Sequence, residues 1–200
     1  PRAVTEAITA HLEREAELGG YEAADAAQEA LAAVHASVGR LIGAAASQVA
    51  IVQSATAAFA QALAAFDPGP GDVILTTRAD YASNQIMYLS LARRRGVTVV
   101  RADDLPEGGV DPDSIRRHIA ARRPALVALS WIPTNSGLVQ DAEAVGAVCR
   151  AADVPYLVDA CQAVGQLPVD MDRVGCDFLA ATARKLLRGP RVNGLLGVSE

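Results

Sequence analysis

Short apolar runs rich in β-branched residues recur along this chain, and each is separated from the next by a segment of helical periodicity. That alternation restricts the possible fold more than any other feature. The runs fall at 49–52, 72–76, 97–100, 125–129, 156–158, 178–181 and 195–198. Helical segments are expected at 54–66, 83–95, 112–121 and 141–152. Two more precede the first strand, at 5–18 and 22–42, broken by Gly19-Gly20. In the second of these, Ala27, Leu31, Val34, Val38, Leu41 and Ile42 recur at helical spacing. The run Asp67-Pro68-Gly69-Pro70-Gly71 closes the helix before it, because proline lacks an amide donor and glycine favours turns. Pro112 suits a first helical turn, where a missing N–H costs nothing. Strands alternating with helices build βαβ units, so the expected fold is α/β: a mainly parallel central sheet with helices on both faces, three layers in all. No internal repeat and no domain boundary interrupts the pattern.

The chain has 200 residues, enough to bury a substantial core. It is 51% apolar and 20% charged, which fits a folded protein and not a disordered one. A formal net charge of −5 leaves no basic footprint, so nucleic acid is not an expected partner. No apolar stretch reaches the ~20 residues that span a bilayer, so no membrane partner is expected and cytoplasm is the default location. Cys149, Cys161 and Cys176 form no CxxC pair, and their odd number argues against a disulfide framework. His11, His35 and His118 lie in helical segments without a clustered ligand set, so no metal is expected.

In open α/β sheets, ligands bind beyond the carboxyl ends of the strands. Four strand ends here carry polar residues: Ser54-Ala55-Thr56, Tyr81 to Asn84, Thr134-Asn135-Ser136-Gly137, and Asp159 to Gln162. If the strands are parallel, these groups converge on one rim. Asp159 ends the run YLV, Gln162 follows three residues on, and Lys185 comes 26 residues after the acid (185 − 159). A strand-end acid and a lysine in a partly apolar setting suit pyridoxal 5'-phosphate (PLP): the acid keeps the ring nitrogen protonated and the amine carries the cofactor as a Schiff base. Ser54 and Thr56, at a helix start, suit a phosphate or serve as plain caps. Tyr81 either stacks on a planar ring or simply packs. Asn135 in PTNSG has the composition of a turn former. Arg188 and Arg191 bind an anion or solvate a loop. Cys161 reads as a small buried filler. Neither GxGxxG after the first strand nor a Walker A sequence is present.

The run DACQAVGQLPVDMDRVGCDFLAATARKLLRGPR, at 159–191, closely resembles the class V aminotransferase superfamily, which holds fold-type-I PLP enzymes such as cysteine desulfurases, isopenicillin-N-epimerase-like proteins and transaminases. The resemblance implies that residues 1–200 form a PLP fold-type-I large domain lacking the C-terminal small domain of longer members. Lys185 would be the Schiff-base lysine, Asp159 the partner of the pyridinium nitrogen and Gln162 that of the ring hydroxyl. Tyr81 matches the residue stacked on the ring. Ser54, Ala55, Thr56, Thr182 and Arg184 match phosphate-contacting positions, and Asn135 would face the ring hydroxyl and substrate. Where members commonly read RGPRGTG after the lysine, this chain reads RGPRVNG, with Val192 and Asn193 in place of Gly and Thr. The substrate-carboxylate arginine of the small domain, and the nucleophilic cysteine that desulfurases carry there, are not in these residues. The implied function is chemistry at the α-carbon of an amino acid by a homodimer, with transamination favoured. Epimerisation and carbon–sulfur lyase or desulfurase activity are the alternatives, and the opening EREAELGGYEAADAA faintly resembles carbon–sulfur lyases of thiol-histidine biosynthesis. A cofactor-free α/β scaffold subunit is the non-enzyme alternative.

Overall fold

Seven strands form one sheet, in the order β1-β7-β6-β5-β4-β2-β3, in a computed structural model that describes all 200 residues. They are β1 (Val49–Val52), β2 (Val73–Thr76), β3 (Thr98–Arg101), β4 (Leu126–Ser130), β5 (Tyr156–Asp159), β6 (Phe178–Thr182) and β7 (Gly194–Val198). The helices are α1 (Arg2–Leu18), α2 (Gly20–Ala26), α3 (Gln28–Ile42), α4 (Ala55–Ala65), α5 (Ala82–Arg95), α6 (Pro112–Ala121), α7 (Ala142–Ala151) and α8 (Met171–Val174). Strands β3, β2, β4, β5 and β6 pair in parallel, while β7 runs against both β6 and β1. Two successive reversals return β1 to the direction of the parallel set. The carboxyl ends of β1, β2, β4, β5 and β6 therefore share one rim. The expected three-layer α/β arrangement is the one observed.

The side-chain alternation of the strands divides the core into two layers. One layer gathers Leu75, Val127, Leu129, Tyr156, Val158, Leu179 and Ala181 with Ile42 of α3, Ile115 of α6, Val145 of α7 and Val174 of α8. The other gathers Ile74, Leu126, Ala128, Leu157 and Ala180 with Ala58, Phe59 and Leu63 of α4 and Tyr88 of α5. The Phe59 and Tyr88 rings meet at 6.1 Å between α4 and α5. Strands β4 and β5 are buried along their whole length, as expected for strands covered on both faces.

Three details differ from the sequence reading. The first helix begins at Arg2. The second helical stretch is interrupted at Ala27, whose backbone (φ −101°, ψ 2°) leaves the helical region and separates α2 from α3. The short α8 is held by Asp170, whose side chain accepts from the Arg173 amide at 2.9 Å, and is ended by Gly175 at φ 71°.

Gly194 opens β7 directly beneath the start of α4. A Cβ there would stand 2.3 Å from the Ser54 carbonyl carbon and 2.7 Å from the Ala55 nitrogen, both backbone atoms that cannot swing aside. Glycine thus lets the helix start rest on the sheet. Gly194→Ala is expected to cost about 1–3 kcal/mol through overpacking, lowering the melting midpoint by roughly 2–12 °C in a calorimetric scan.

Candidate active site

The rim forms because four neighbouring strands end in a polar residue of the same parity. Leu75, Leu129, Val158 and Ala181 all point into the α6–α8 layer. Their successors Thr76, Ser130, Asp159 and Thr182 therefore point to the α4–α5 face, and all four are buried. Ser130 and Asp159 are register partners across β4 and β5. Beside them opens a solvent-facing cleft with a cavity volume of about 50 Å³, lined by Ser54, Ala55, Thr56, Tyr81, Ser130, Thr134, Asp159, Cys161, Gln162, Thr182, Arg184 and Lys185 among others.

The start of α4 forms one wall. Ser54 is its N-cap, with the side chain accepting from the Ala57 amide at 3.1 Å. The amides of Ala55 and Thr56 have no acceptor within the helix, and the helix dipole adds positive potential, so this end suits an anion. The plain cap and the phosphate role of Ser54 are thus compatible. The cationic Arg184 and the Thr182 hydroxyl line the same cleft, although Thr182 Oγ1 also donates to the Asn193 carbonyl at 3.2 Å.

Lys185 rides on the loop joining β6 to β7. The loop is closed at its base, where the Asn193 carbonyl accepts from both the Ala183 amide at 3.0 Å and Thr182. It is closed again where the Gly189 amide donates to the Ala183 carbonyl at 2.8 Å. Lys185 Nζ lies 5.8 Å from the centroid of the Tyr81 ring, close enough for the ring face to attract an ammonium. Tyr81 stands at the N-cap of α5 and is 38% exposed, so its ring is not locked into the core. Two non-glycine residues of this loop adopt left-handed backbone, Arg188 at φ 53° and Val192 at φ 65°. The valine, 73% exposed, keeps a glycine's conformation without being a glycine.

Asp159 is 8% exposed. Its Oδ1 accepts from the Cys161 amide at 3.0 Å and its Oδ2 from the Asn84 side-chain amide at 3.0 Å. Gln162 lines the cleft and reaches Thr134 Oγ1 at 3.5 Å. Asn135 is not among the lining residues. It is exposed in a turn closed by the Gly137 amide on the Pro133 carbonyl at 2.8 Å, and Thr134 supplies the wall at this strand end. The turn-former reading of Asn135 thus fits its placement better than the contact with ring and substrate.

Sequence reasoning passed over Asp80 and Ser130. Asp80 accepts from Thr76 Oγ1 at 3.1 Å, Ser130 Oγ at 2.6 Å, Asn84 Nδ2 at 3.1 Å, Gln85 Nε2 at 2.9 Å and the Tyr81 amide at 2.6 Å. The available signal was a short polar residue closing an apolar run next to a second polar strand end.

Burial, then the nearby charge of Asp159, pushes the Cys161 thiol well above its ordinary pKa, with Lys185 and Arg184 opposing. Burial and Asp177 push Cys149 and Cys176 each up to about 12. A raised thiol pKa means that the thiolate, the reactive form, appears only as pH climbs toward the shifted value. All three cysteines should therefore resist iodoacetamide at pH 8, reacting at least about tenfold more slowly than an unshifted thiol, as read residue by residue by mass spectrometry before and after denaturation. A left-handed Val192 costs about 1–2 kcal/mol, whereas glycine adds about 0.5–1 kcal/mol of unfolded-state freedom. Val192→Gly is accordingly expected to raise the melting midpoint slightly, by roughly 1–4 °C.

The Aminotransferase class-V family model matches residues 1–200. A probable hercynylcysteine sulfoxide lyase of Mycobacterium tuberculosis is 31% identical over 196 residues, covering 98% of this chain and 48% of the relative. A probable cysteine desulfurase of Methanothermobacter thermautotrophicus is 36% identical over 129 residues, covering 63% of this chain and 31% of the relative. The cystine C–S lyase C-DES, solved with its reaction product cysteine persulfide, superposes with a TM-score of 0.90 at 26% identity, covering 100% of this chain and 54% of that one. A lysine-to-alanine variant of that enzyme carries glycine covalently linked to its PLP cofactor and superposes equally well. The chain spans about half the length, or less, of these relatives. Matched along all its residues by the family model, with a strand-end acid and a loop lysine in one cleft, the chain belongs to the class V aminotransferase family, whose cofactor is PLP.

Proposed function

We propose that these residues form the cofactor-binding large domain of a PLP-dependent carbon–sulfur lyase acting on a cysteine-derived amino acid. The observation that carries the reading is the cleft itself, where the Lys185 amine faces the Tyr81 ring beside the buried Asp159 carboxylate. The residues fit the group in charge and shape: an anion-binding helix end with Arg184 for the phosphate, an aromatic face for the ring, an acid for the ring nitrogen and an amine for the aldehyde. When bound, PLP supplies an electron sink conjugated to the substrate's α-carbon.

The chain's own residues do the rest. The Ala55 and Thr56 amides, Thr182 and Arg184 anchor the phosphate end. Tyr81 packs on one ring face. Asp159 holds a proton at the ring nitrogen, which keeps the sink effective. Gln162 donates toward the ring hydroxyl. Lys185 Nζ is the amine that would hold the cofactor and the general base that would take the substrate's α-proton. With the α-proton on Lys185, the pair left at the α-carbon would form a Cα=Cβ bond as the Cβ–S bond breaks, the C–S pair leaving with sulfur.

Lyase is preferred here to transamination because the sulfoxide lyase and the C–S lyase C-DES match 98% and 100% of the chain. Self-association as a homodimer is part of the same reading.

The test offers the intact protein cystine and cysteine sulfoxide conjugates, and follows pyruvate and released sulfur together. Lys185→Ala should lower turnover by about 10²–10⁴-fold or more and lose the borohydride-fixed cofactor label. Asp159→Ala should keep the label on Lys185 yet lose a factor of about 10² or more. Keto-acid-dependent amino transfer without pyruvate would establish transamination instead. Normal turnover by Lys185→Ala would remove the site assignment.

A further inference from the structure

Asp159 does not stand alone on the rim, and what holds it crosses three adjacent strand ends. Asn84, in the first turn of α5, is 1% exposed. Its side-chain nitrogen donates to Asp159 Oδ2 at 3.0 Å and Asp80 Oδ1 at 3.1 Å, with Ser130 Oγ at 3.5 Å. One amide thus bridges two carboxylates. A side-chain amide has two N–H groups, so bridging these two acids uses both. Asp80 itself is fixed by four further donors: Thr76, Ser130, Gln85 and the Tyr81 amide. It forms no ion pair within 4.0 Å. Its charge is therefore met by hydrogen bonds alone, and the chain of donors continues outward, with the Arg101 guanidinium donating to Gln85 Oε1 at 2.9 Å. Beneath the network lies the fully buried Tyr88, whose phenol is kept neutral by burial and by the charge of Asp80. Asp80 and Asp159 thus supply the negative charge of this cluster.

The consequence for Asp159 is geometric. With Oδ1 on the Cys161 amide and Oδ2 on Asn84, the carboxylate is clamped from two elements and cannot rotate about its last bond. Each oxygen retains a further acceptor position. We infer that Asn84, oriented by Asp80 and Ser130, is a positioning residue that aims the Asp159 carboxylate at the ring nitrogen of the cofactor. This rests on the proposed reading of Asp159 as the ring-nitrogen partner. A carboxylate freed from the clamp would sample rotamers that turn away, and its directional bond to a protonated ring nitrogen would weaken. Contacts to phosphate, aldehyde and ring face would be untouched.

The test uses the intact protein, stripped of cofactor, and compares its affinity for PLP with that for the analogue in which C–H replaces the ring nitrogen. Both bind through phosphate, aldehyde and ring face, so the ratio of affinities isolates the nitrogen contact. The native protein should prefer PLP by about 10–100-fold, the worth of one charge-assisted hydrogen bond. In Asn84→Ala the ratio should fall to about twofold or less, with affinity for the nitrogen-free analogue unchanged. Asn84→Asp keeps the shape but turns an acceptor toward Asp159, and should lose the preference as well. It decides the matter if circular dichroism shows that the alanine variant does not fold. Asp80→Asn should give an intermediate ratio. Variants that fold and keep the native ratio, or that weaken both affinities by one common factor, overturn the inference while leaving Asp159 in its role. A native protein indifferent to the ring nitrogen removes the role of Asp159, and this inference with it.

Discussion

The parity of the sheet is the constraint on which the rest depends. Successive residues of a strand face opposite layers, so the last residue of each strand is assigned a layer by its predecessors. In β2, β4, β5 and β6 that assignment places Thr76, Ser130, Asp159 and Thr182 on the α4–α5 face. A slip of one residue in β5 would turn Asp159 into the apolar layer of Ile115 and Val145, where an unpaired carboxylate costs several kcal/mol. The register that builds the core is therefore the register that builds the cleft, and neither can drift without the other.

Against that parity, β7 is the single reversed strand. Its reversal brings β1 back into line with the parallel set, so the start of α4 reaches the same rim as the four polar strand ends. Gly194 then allows the helix start to settle on the sheet edge, with the Ser54–Ala55 peptide where a side chain would otherwise stand. A helix start with unpaired amides, an acid and an amine are gathered by topology from positions far apart in the chain.

Much of this was legible in the sequence, because alternation of strand and helix is a local pattern and strand ends in YLVD or ILTT announce themselves by a change from apolar to polar. That Lys185 and Asp159 would line one cleft was legible because both stand beside strand ends of the same rim. The direction of β7 was not, since GLLGV reads the same whichever way it pairs. Nor was the break at Ala27, an alanine among alanines with no residue that disfavours helix. Ser130 and Asp80 were missed because their importance lies in whom they face: Ser130 is one hydroxyl at the end of LVALS, and Asp80 is one acid in a polar loop. Asn135 was singled out over Thr134 by likeness to other proteins, whereas the turn geometry presents the threonine to the cleft.

Because β6 and β7 are antiparallel neighbours, Lys185 sits on a hairpin and not on a crossover. Residues 183–193 leave the sheet and return to it at the adjoining position, with both ends knotted to one carbonyl, that of Asn193. Such a segment is anchored at its base by the sheet and in its interior by Leu187, which returns to the core. The lysine is thereby carried on a strap fixed at both its ends and its middle.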